Sequence, residues 1–197
     1  MSLFVKICGM TDEQAVESAV DAGVDAVGFV FSPSVRLLSI SRAVELAGLV
    51  PSGVLKVAVF RRPTAEELRR VVEGFVPDVV QADHDTIAGF DDIETLPVFR
   101  QGTSADPDAP RFLFEGPHSG SGQEIDLDSA ARSARLGEMV LAGGLRPDNV
   151  GRAIDVVRPF GVDVSSGVES EPGVKDPALI RSFVAAVRSA EERLVRA

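Results

Sequence analysis

Short apolar runs alternate with helix-like segments along the whole chain, and this alternation constrains the fold more than any other feature of the sequence. Strands that alternate with helices join through right-handed crossovers into a parallel sheet, which predicts an α/β protein. Eight such units predict a closed (β/α)8 TIM barrel, with an open doubly wound sheet as the alternative. The candidate strands are Phe4–Cys8, Asp25–Phe31, Val54–Phe60, Asp78–Gln81, Pro97–Arg100, Arg111–Glu115, Met139–Ala142 and Gly161–Ser165.

The chain is short for such a barrel. Its 197 residues lie at the lower limit of the fold, about 200 residues, so one crossover has to be shortened. The stretch QGTSADPDAP, residues 101–110, follows the fifth strand, and its prolines break it too much for a full helix. We therefore predict a single barrel domain over residues 1–197 in which a loop replaces the helix after strand five.

Three helices carry recognisable start signals. Thr11 with Gln14, and Thr64 with Glu67, have the spacing of a capping box. Asp176 directly before a proline is typical of the start of the final helix.

Composition excludes several classes of protein. The net charge of −10 argues against nucleic-acid binding, which needs a positive face. No apolar run approaches the roughly 18 residues that cross a membrane. The N-terminal residues lack the basic stretch, apolar run and cleavage site of a secretory signal, so none is expected. A single cysteine permits no intramolecular disulfide, so a cytoplasmic protein is expected. We expect a small-molecule ligand and favour a monomer.

Cys8, the only cysteine, ends the first candidate strand, and the active site of a barrel lies at the C-terminal ends of its strands. Strand alternation places Phe4, Lys6 and Cys8 inside the barrel. A buried lysine needs a partner, and Asp163 on the neighbouring eighth strand is the best candidate. Cys8 could also be a small buried hydrophobe. The nearby lysine favours a function, because a cation should lower the thiol pKa from about 8.5 toward neutrality.

Two glycine-bearing turns, AGGLRPDNV and VDVSSGVESEPG, end the seventh and eighth strands. Barrels of this type commonly hold phosphate there. Glycine lets a ligand approach the backbone closely, and serine adds hydroxyl and N–H donors, although plain turns are the alternative. The predicted phosphate contacts are Gly143, Gly144, Ser165, Ser166 and Gly167.

Two further charged residues lie at the end of a candidate strand or in the loop after one. Glu115 ends strand six and is either a catalytic acid or base or a solvated loop residue. Arg36 follows strand two and either clamps a carboxylate or lies on the surface. His84 and His118 lack metal-ligand spacing with Cys8, so no metal site is predicted.

Together these features resemble the phosphoribosylanthranilate isomerase family of tryptophan biosynthesis. The resemblance covers most of the chain in the same order, through the motifs KICGMT, DAVGFVF, LAGGLRPDNV and VDVSSGVESEPGVKD. It implies a (β/α)8 barrel whose fifth helix is replaced by a loop. It also implies a cofactor-independent Amadori rearrangement of N-(5-phosphoribosyl)anthranilate to 1-(2-carboxyphenylamino)-1-deoxyribulose 5-phosphate.

The resemblance also implies roles for single residues. Cys8 aligns with the general base that removes the proton from C2′ of the sugar, and Glu115 with the general acid that protonates the ring oxygen. Arg36 aligns with the arginine that meets the anthranilate carboxylate. The glycines and serines of the last two turns align with the phosphate site, and Asp163 joins the expected substrate-binding residues. No metal or other cofactor is implied.

Some motifs depart from the family pattern. Glu115 stands where the family has aspartate, and the following SGSGQEIDL lacks the usual lysine and aromatic pair. Strand four ends in QADH rather than Gln-Leu-His-Gly. This pattern fits a weak isomerase or one with an altered substrate. The alternatives are a sibling phosphosugar isomerase that acts on an aminoaldose and a non-catalytic relative that binds a phosphate ligand.

Overall fold

Eight parallel strands close into a barrel in chain order, as the computed structural model shows. The structure describes residues 2–87, 90, 93–102, 109–116 and 125–196. The closed barrel confirms the predicted fold and excludes the open sheet. The strands are Phe4–Cys8 (β1), Ala26–Val30 (β2), Leu55–Val59 (β3), Val79–Asp83 (β4), Glu94–Arg100 (β5), Arg111–Glu115 (β6), Glu138–Leu141 (β7) and Gly161–Val164 (β8).

Helices pack around the outside of the barrel and connect most of the strands. A 3-10 turn, Ser166–Val168, and a hairpin of two short strands, β9 (Glu169–Glu171) and β10 (Val174–Lys175), follow β8 and were not predicted. The helices are Glu13–Asp21 (α1), Ile40–Ala47 (α2), Ala65–Phe75 (α3), His84–Ile87 (α4), Leu127–Ser133 (α5), Val150–Val157 (α6) and Pro177–Arg196 (α7).

The core has two layers, because successive side chains of a strand point to opposite faces. On β1, Val5 and Ile7 pack against the helices, whereas Cys8 belongs to the smaller cluster inside the barrel. On β6, Phe112 and Phe114 face the helices and Leu113 faces inward. The inward set of β6 therefore includes Glu115, which lies at the C-terminal end of the barrel.

Two of the three predicted helix starts are confirmed. Thr64 and Glu67 form a capping box, and the Asp176 carboxylate accepts hydrogen bonds at the start of α7. The prediction for Thr11 is wrong, because Asp12 caps α1 by accepting a 2.8 Å hydrogen bond from the Ala15 N–H. The Thr11 hydroxyl instead donates a 2.8 Å hydrogen bond to the Gly173 carbonyl.

The predicted loop between β5 and β6 lies mostly outside the described residues, which in this connection are 101, 102, 109 and 110. In the described part of the chain, no helix is long and apolar enough to cross a membrane.

Candidate active site

A cavity of about 240 Å³ opens at the C-terminal ends of the barrel strands. It brings together five of the predicted site residues, from β1, β6, β8 and the loops after β2 and β8. The lining residues are Cys8, Val30, Ser32, Pro33, Ser34, Arg36, Val59, Phe60, Arg61, Gln81, Val98, Arg100, Glu115, Asp163 and Ser165.

The floor of the cavity carries a buried ion pair. Lys6 lies opposite Asp163 in the pairing of β1 with β8, and Lys6 Nζ is 2.7 Å from Asp163 Oδ1. Burial is the largest influence and alone would lower the pKa of Lys6, but the charges and hydrogen bonds of Asp163 and Cys8 together outweigh it and raise that pKa. The predicted pairing is confirmed. Asp163 thus serves Lys6 and also lines the cavity.

Gly28 of β2 makes room for the two functional groups of β1. A Cβ atom at Gly28 would lie 3.0 Å from Cys8 Sγ and 3.2 Å from Lys6 Nζ. A side chain here would therefore displace the thiol or the ammonium group. The packing explains a glycine in the middle of an otherwise apolar strand.

The predicted effect on the Cys8 thiol is wrong in direction. Burial raises the pKa of Cys8, and the charges of Lys6 and Lys175 offset this only in part. The nearby cation does favour the thiolate, but the fold also removes most of the water around this thiol, which is 7% exposed, and that loss is the larger effect. The free protein consequently holds Cys8 mainly as the thiol at neutral pH.

Arg36 lies in the cavity wall rather than on the surface, and its side chain is 15% exposed. Its Nε and Nη2 donate to the two carboxylate oxygens of Glu169, both at 2.7 Å. These hydrogen bonds raise the pKa of Arg36. Gly9, with φ of 81°, lies directly beneath, and a Cβ there would be 3.3 Å from Arg36 Nε. The glycine after Cys8 thus lets the arginine lie across the first loop.

Glu115 is half-buried at the tip of β6 and contacts a neighbouring strand. Arg100 Nη2 at the end of β5 lies 2.9 Å from Glu115 Oε1 and 2.7 Å from Asp83 Oδ1 on β4. Burial opposes the charge on Arg100, but these two carboxylates outweigh it and raise the pKa of Arg100. Glu115 is therefore held by an ion pair at the cavity and is not a solvated loop residue.

The two turns predicted to bind phosphate meet in space. A Cβ at Gly167 would overlap the Leu145 carbonyl, so the turn after β8 rests directly on the turn after β7. Gly143 and Gly144 have φ of 97° and 67°. Asn149 secures their turn by donating a 2.9 Å hydrogen bond to the Gly144 carbonyl.

Only part of this region lines the cavity of about 240 Å³. Ser165 does, whereas Gly143 and Gly144 line a neighbouring cavity of about 40 Å³. Ser166 and Gly167 form the 3-10 turn that follows Ser165. The structure thus places all five predicted residues on two touching turns without showing a common pocket for them.

His84 is not positioned as a metal ligand. Its ring stacks on Phe99 at 4.4 Å between centroids, and His118 lies outside the described residues. Among the residues that the structure describes, no group of His, Cys, Asp and Glu could hold a metal ion.

Several residues that line the cavity or contact its lining were missed by the sequence reasoning. Gln81 and Asp83 alternate along β4 and could have been found from strand periodicity once its end was extended by two residues. Arg100 is the last residue of β5 and could have been found from the same periodicity. Glu169 and Lys175 lie within the motif after β8, but nothing in the sequence indicates that they turn back toward Arg36.

Comparison with known proteins identifies the family. A family model described as N-(5'phosphoribosyl)anthranilate (PRA) isomerase matches residues 5–186. An N-(5'-phosphoribosyl)anthranilate isomerase from Streptococcus pneumoniae (strain Hungary19A-6) is 42% identical over 193 residues, covering 93% of this chain and 95% of that protein.

Solved structures agree with this result. The crystal structure of TrpF from Jonesia denitrificans matches with a TM-score of 0.86 and 35% identity, covering 96% of this chain and 98% of that chain. A phosphoribosyl anthranilate isomerase in complex with reduced 1-(o-carboxyphenylamino)-1-deoxyribulose 5-phosphate matches with a TM-score of 0.80 and 32% identity, covering 95% and 99%. The chain therefore belongs to the N-(5'-phosphoribosyl)anthranilate isomerase family, whose enzymes are aldose–ketose isomerases.

Proposed function

We propose that the protein catalyses the Amadori rearrangement of N-(5-phosphoribosyl)anthranilate to 1-(2-carboxyphenylamino)-1-deoxyribulose 5-phosphate in tryptophan biosynthesis, with Cys8 as general base and Glu115 as general acid. The observation that carries the proposal is the shared cavity. Cys8, Glu115, Arg36 and Ser165 all line it, although they come from distant parts of the chain.

Glu115 acts first, by protonating the ribose ring oxygen. The C1′–O bond then breaks, and the anthranilate nitrogen supplies the electron pair that forms a Schiff base at C1′. Arg100 supports the position of this group, because the ion pair at 2.9 Å fixes the longer side chain that replaces aspartate. Glu115 is ionised in this pair, so it takes up a proton and gives up the ion pair before it acts as the acid. A carboxylic acid placed in this way contributes about 10²- to 10⁴-fold to the rate.

Cys8 acts second, by taking the proton from C2′ to form an enolamine, which tautomerises to the ketose. The cationic Schiff base makes this proton acidic. The same positive charge, together with the ammonium group of Lys6, favours the thiolate at the step that needs it, although burial disfavours it in the free protein. The thiol releases its own proton to the solvent in the open cavity as the cationic Schiff base forms, so the base is generated when the substrate is ready to react.

Arg36 binds the anthranilate carboxylate, and the touching turns at Gly143–Gly144 and Ser165–Gly167 bind the phosphate. Within the described residues, the hydrogen bonds donated by the Arg36 side chain use Nε and Nη2, so Nη1 is left for a ligand. The ligand of the related complex carries both anionic groups. Asp163 lines the floor of the same cavity.

Turnover of N-(5-phosphoribosyl)anthranilate tests the proposal, followed by the change in anthranilate fluorescence and by chromatography of the product. Growth of a tryptophan auxotroph that lacks this isomerase provides the test in cells. Conversion of a histidine-pathway aminoaldose instead would support the sibling isomerase. Binding of the phosphosugar with no conversion of either substrate would contradict the proposed activity.

A further inference from the structure

Three charged side chains form a buried cluster beside the cavity. Glu169 accepts two hydrogen bonds from Arg36 and one from Lys175 Nζ, each 2.7 Å long. The side chain of Glu169 is 4% exposed, and that of Lys175 is fully buried. Burying a lysine this deeply is costly unless its partners are well placed. Burial lowers the pKa of Lys175, whereas its 2.7 Å contact with Glu169 favours the charged form. With both cations charged, the cluster holds two positive charges and one negative charge, so it has one unbalanced positive charge.

Lys175 extends the cluster to the turn after β8. Its Nζ donates to the Ser165 carbonyl at 3.0 Å and to the Ser165 hydroxyl at 3.3 Å. A continuous chain of contacts therefore runs from Ser165 through Lys175 and Glu169 to Arg36. It connects the turn proposed to bind phosphate with the arginine proposed to bind the carboxylate.

The hairpin of β9 and β10 fixes this chain of contacts. The Gly173 N–H donates to Glu169 Oε2 at 3.1 Å, and the Thr11 hydroxyl donates to the Gly173 carbonyl at 2.8 Å. Glu169 is thus held from three sides, by a main-chain N–H and two cations. A carboxylate held in this way can orient a flexible arginine, whose free rotamers would otherwise weaken binding.

We infer that Glu169 and Lys175 are positioning residues for substrate binding: Glu169 orients Arg36 toward the substrate carboxylate, and Lys175 sets the spacing between this contact and the phosphate turn. The inference rests on the proposed function, because it takes Arg36 as the carboxylate contact. The unbalanced positive charge is the one that the substrate carboxylate neutralises. Glu169 also prevents the two cations from repelling each other.

Binding to two matched ligands tests the role of Glu169. The first probe is reduced 1-(o-carboxyphenylamino)-1-deoxyribulose 5-phosphate, called the reduced product analogue. The second probe is the same compound without its carboxyl group. We expect Glu169→Gln to weaken binding of the probe with the carboxyl group about tenfold or more, because the substitution loosens a charge-assisted contact of Arg36. Binding of the probe without the carboxyl group should weaken less than about threefold. KM should rise while kcat changes little. Glu171→Gln, which removes an exposed carboxylate of the same hairpin, is the control and should change neither affinity.

Lys175 is tested with inorganic phosphate as a second probe. Lys175→Met should weaken both phosphate and the reduced product analogue, whereas Glu169→Gln should leave phosphate binding unchanged. Melting temperatures identify variants that fail to fold, and Lys175→Gln replaces Lys175→Met if necessary. If neither lysine variant folds while Glu169→Gln does, Lys175 is a requirement of the fold and its role in the site is refuted.

Arg36→Gln separates the inference from the proposed function. If this variant does not distinguish the two carboxyl-matched ligands, the assignment of Arg36 as the carboxylate contact fails. If Arg36→Gln distinguishes them and Glu169→Gln weakens both equally or neither, only the positioning role of Glu169 fails.

Discussion

The stability of the protein should depend on pH through Glu169. Burial opposes ionisation of this carboxyl, but the hydrogen bonds from Arg36 and Lys175 outweigh it and lower the pKa of Glu169 to about 2. The pKa of a glutamate in an unfolded chain is about 4.3. A group with a lowered pKa stabilises the folded state above its unfolded pKa, and this contribution is lost as the pH falls toward the folded value.

The difference between the pKa of Glu169 in the folded and unfolded states sets the size of its contribution to the free energy of unfolding. A shift of about two units corresponds to at most about 3 kcal/mol of unfolding free energy. The cluster borders an open cavity, and solvent screening reduces the value, so we expect about 2 kcal/mol. Most of it should be lost between about pH 5 and about pH 3, because the unfolded chain binds the proton first.

Urea unfolding of the parent, Glu169→Gln and Glu171→Gln at pH 7, 5, 4 and 3 measures the effect. The parent should be more stable than Glu169→Gln at pH 7, and the difference should shrink steadily below pH 5. Glu171→Gln should differ little from the parent throughout, since Glu171 is exposed. A difference between the parent and Glu169→Gln that stays constant from pH 7 to pH 3 would refute the argument that the ionised carboxylate stabilises the cluster.

Four other predictions concern the catalytic groups and the turn proposed to bind phosphate. Cys8→Ala should keep the melting temperature of the parent and lose about 10²- to 10⁴-fold in kcat, and full retention of kcat would exclude Cys8 as the base. The rate of Cys8 alkylation by iodoacetamide should rise with pH, with a midpoint above about 8.5, the pKa of a free thiol, because burial raises the pKa of Cys8. A midpoint near neutrality would contradict this. Glu115→Gln should abolish turnover, whereas Glu115→Asp, which restores the family residue, should remain active. Equal kcat for Glu115→Gln and the parent would place the acid elsewhere, with Asp126, which caps the start of α5, as the next residue to test. Gly144→Val should raise KM strongly, because φ of 67° disfavours a side chain and because a side chain would block the approach of the phosphate to the backbone. A crystal with phosphate at the opposite end of the barrel would contradict the site.

The barrel could be predicted from the sequence because its signals are local. Apolar runs, capping residues such as Thr64 and Asp176, and strand alternation at Lys6 and Cys8 depend on near neighbours along the chain. The pairing of Lys6 with Asp163 was also accessible, because a closed barrel makes its first and last strands neighbours. The family motifs then indicated Cys8 and the two turns.

Tertiary structure decided the electrostatics of the site. The direction of the Cys8 pKa depends on how much water the fold removes, and a sequence does not carry that quantity. Arg36 meets Glu169 across 133 residues of chain, so only the folded hairpin reveals the pair. Likewise, Arg100 reaches Glu115 because β5 and β6 are in register at these two residues. Local patterns therefore determined where the site lies, and contacts between residues distant in the chain decided how its charges are arranged.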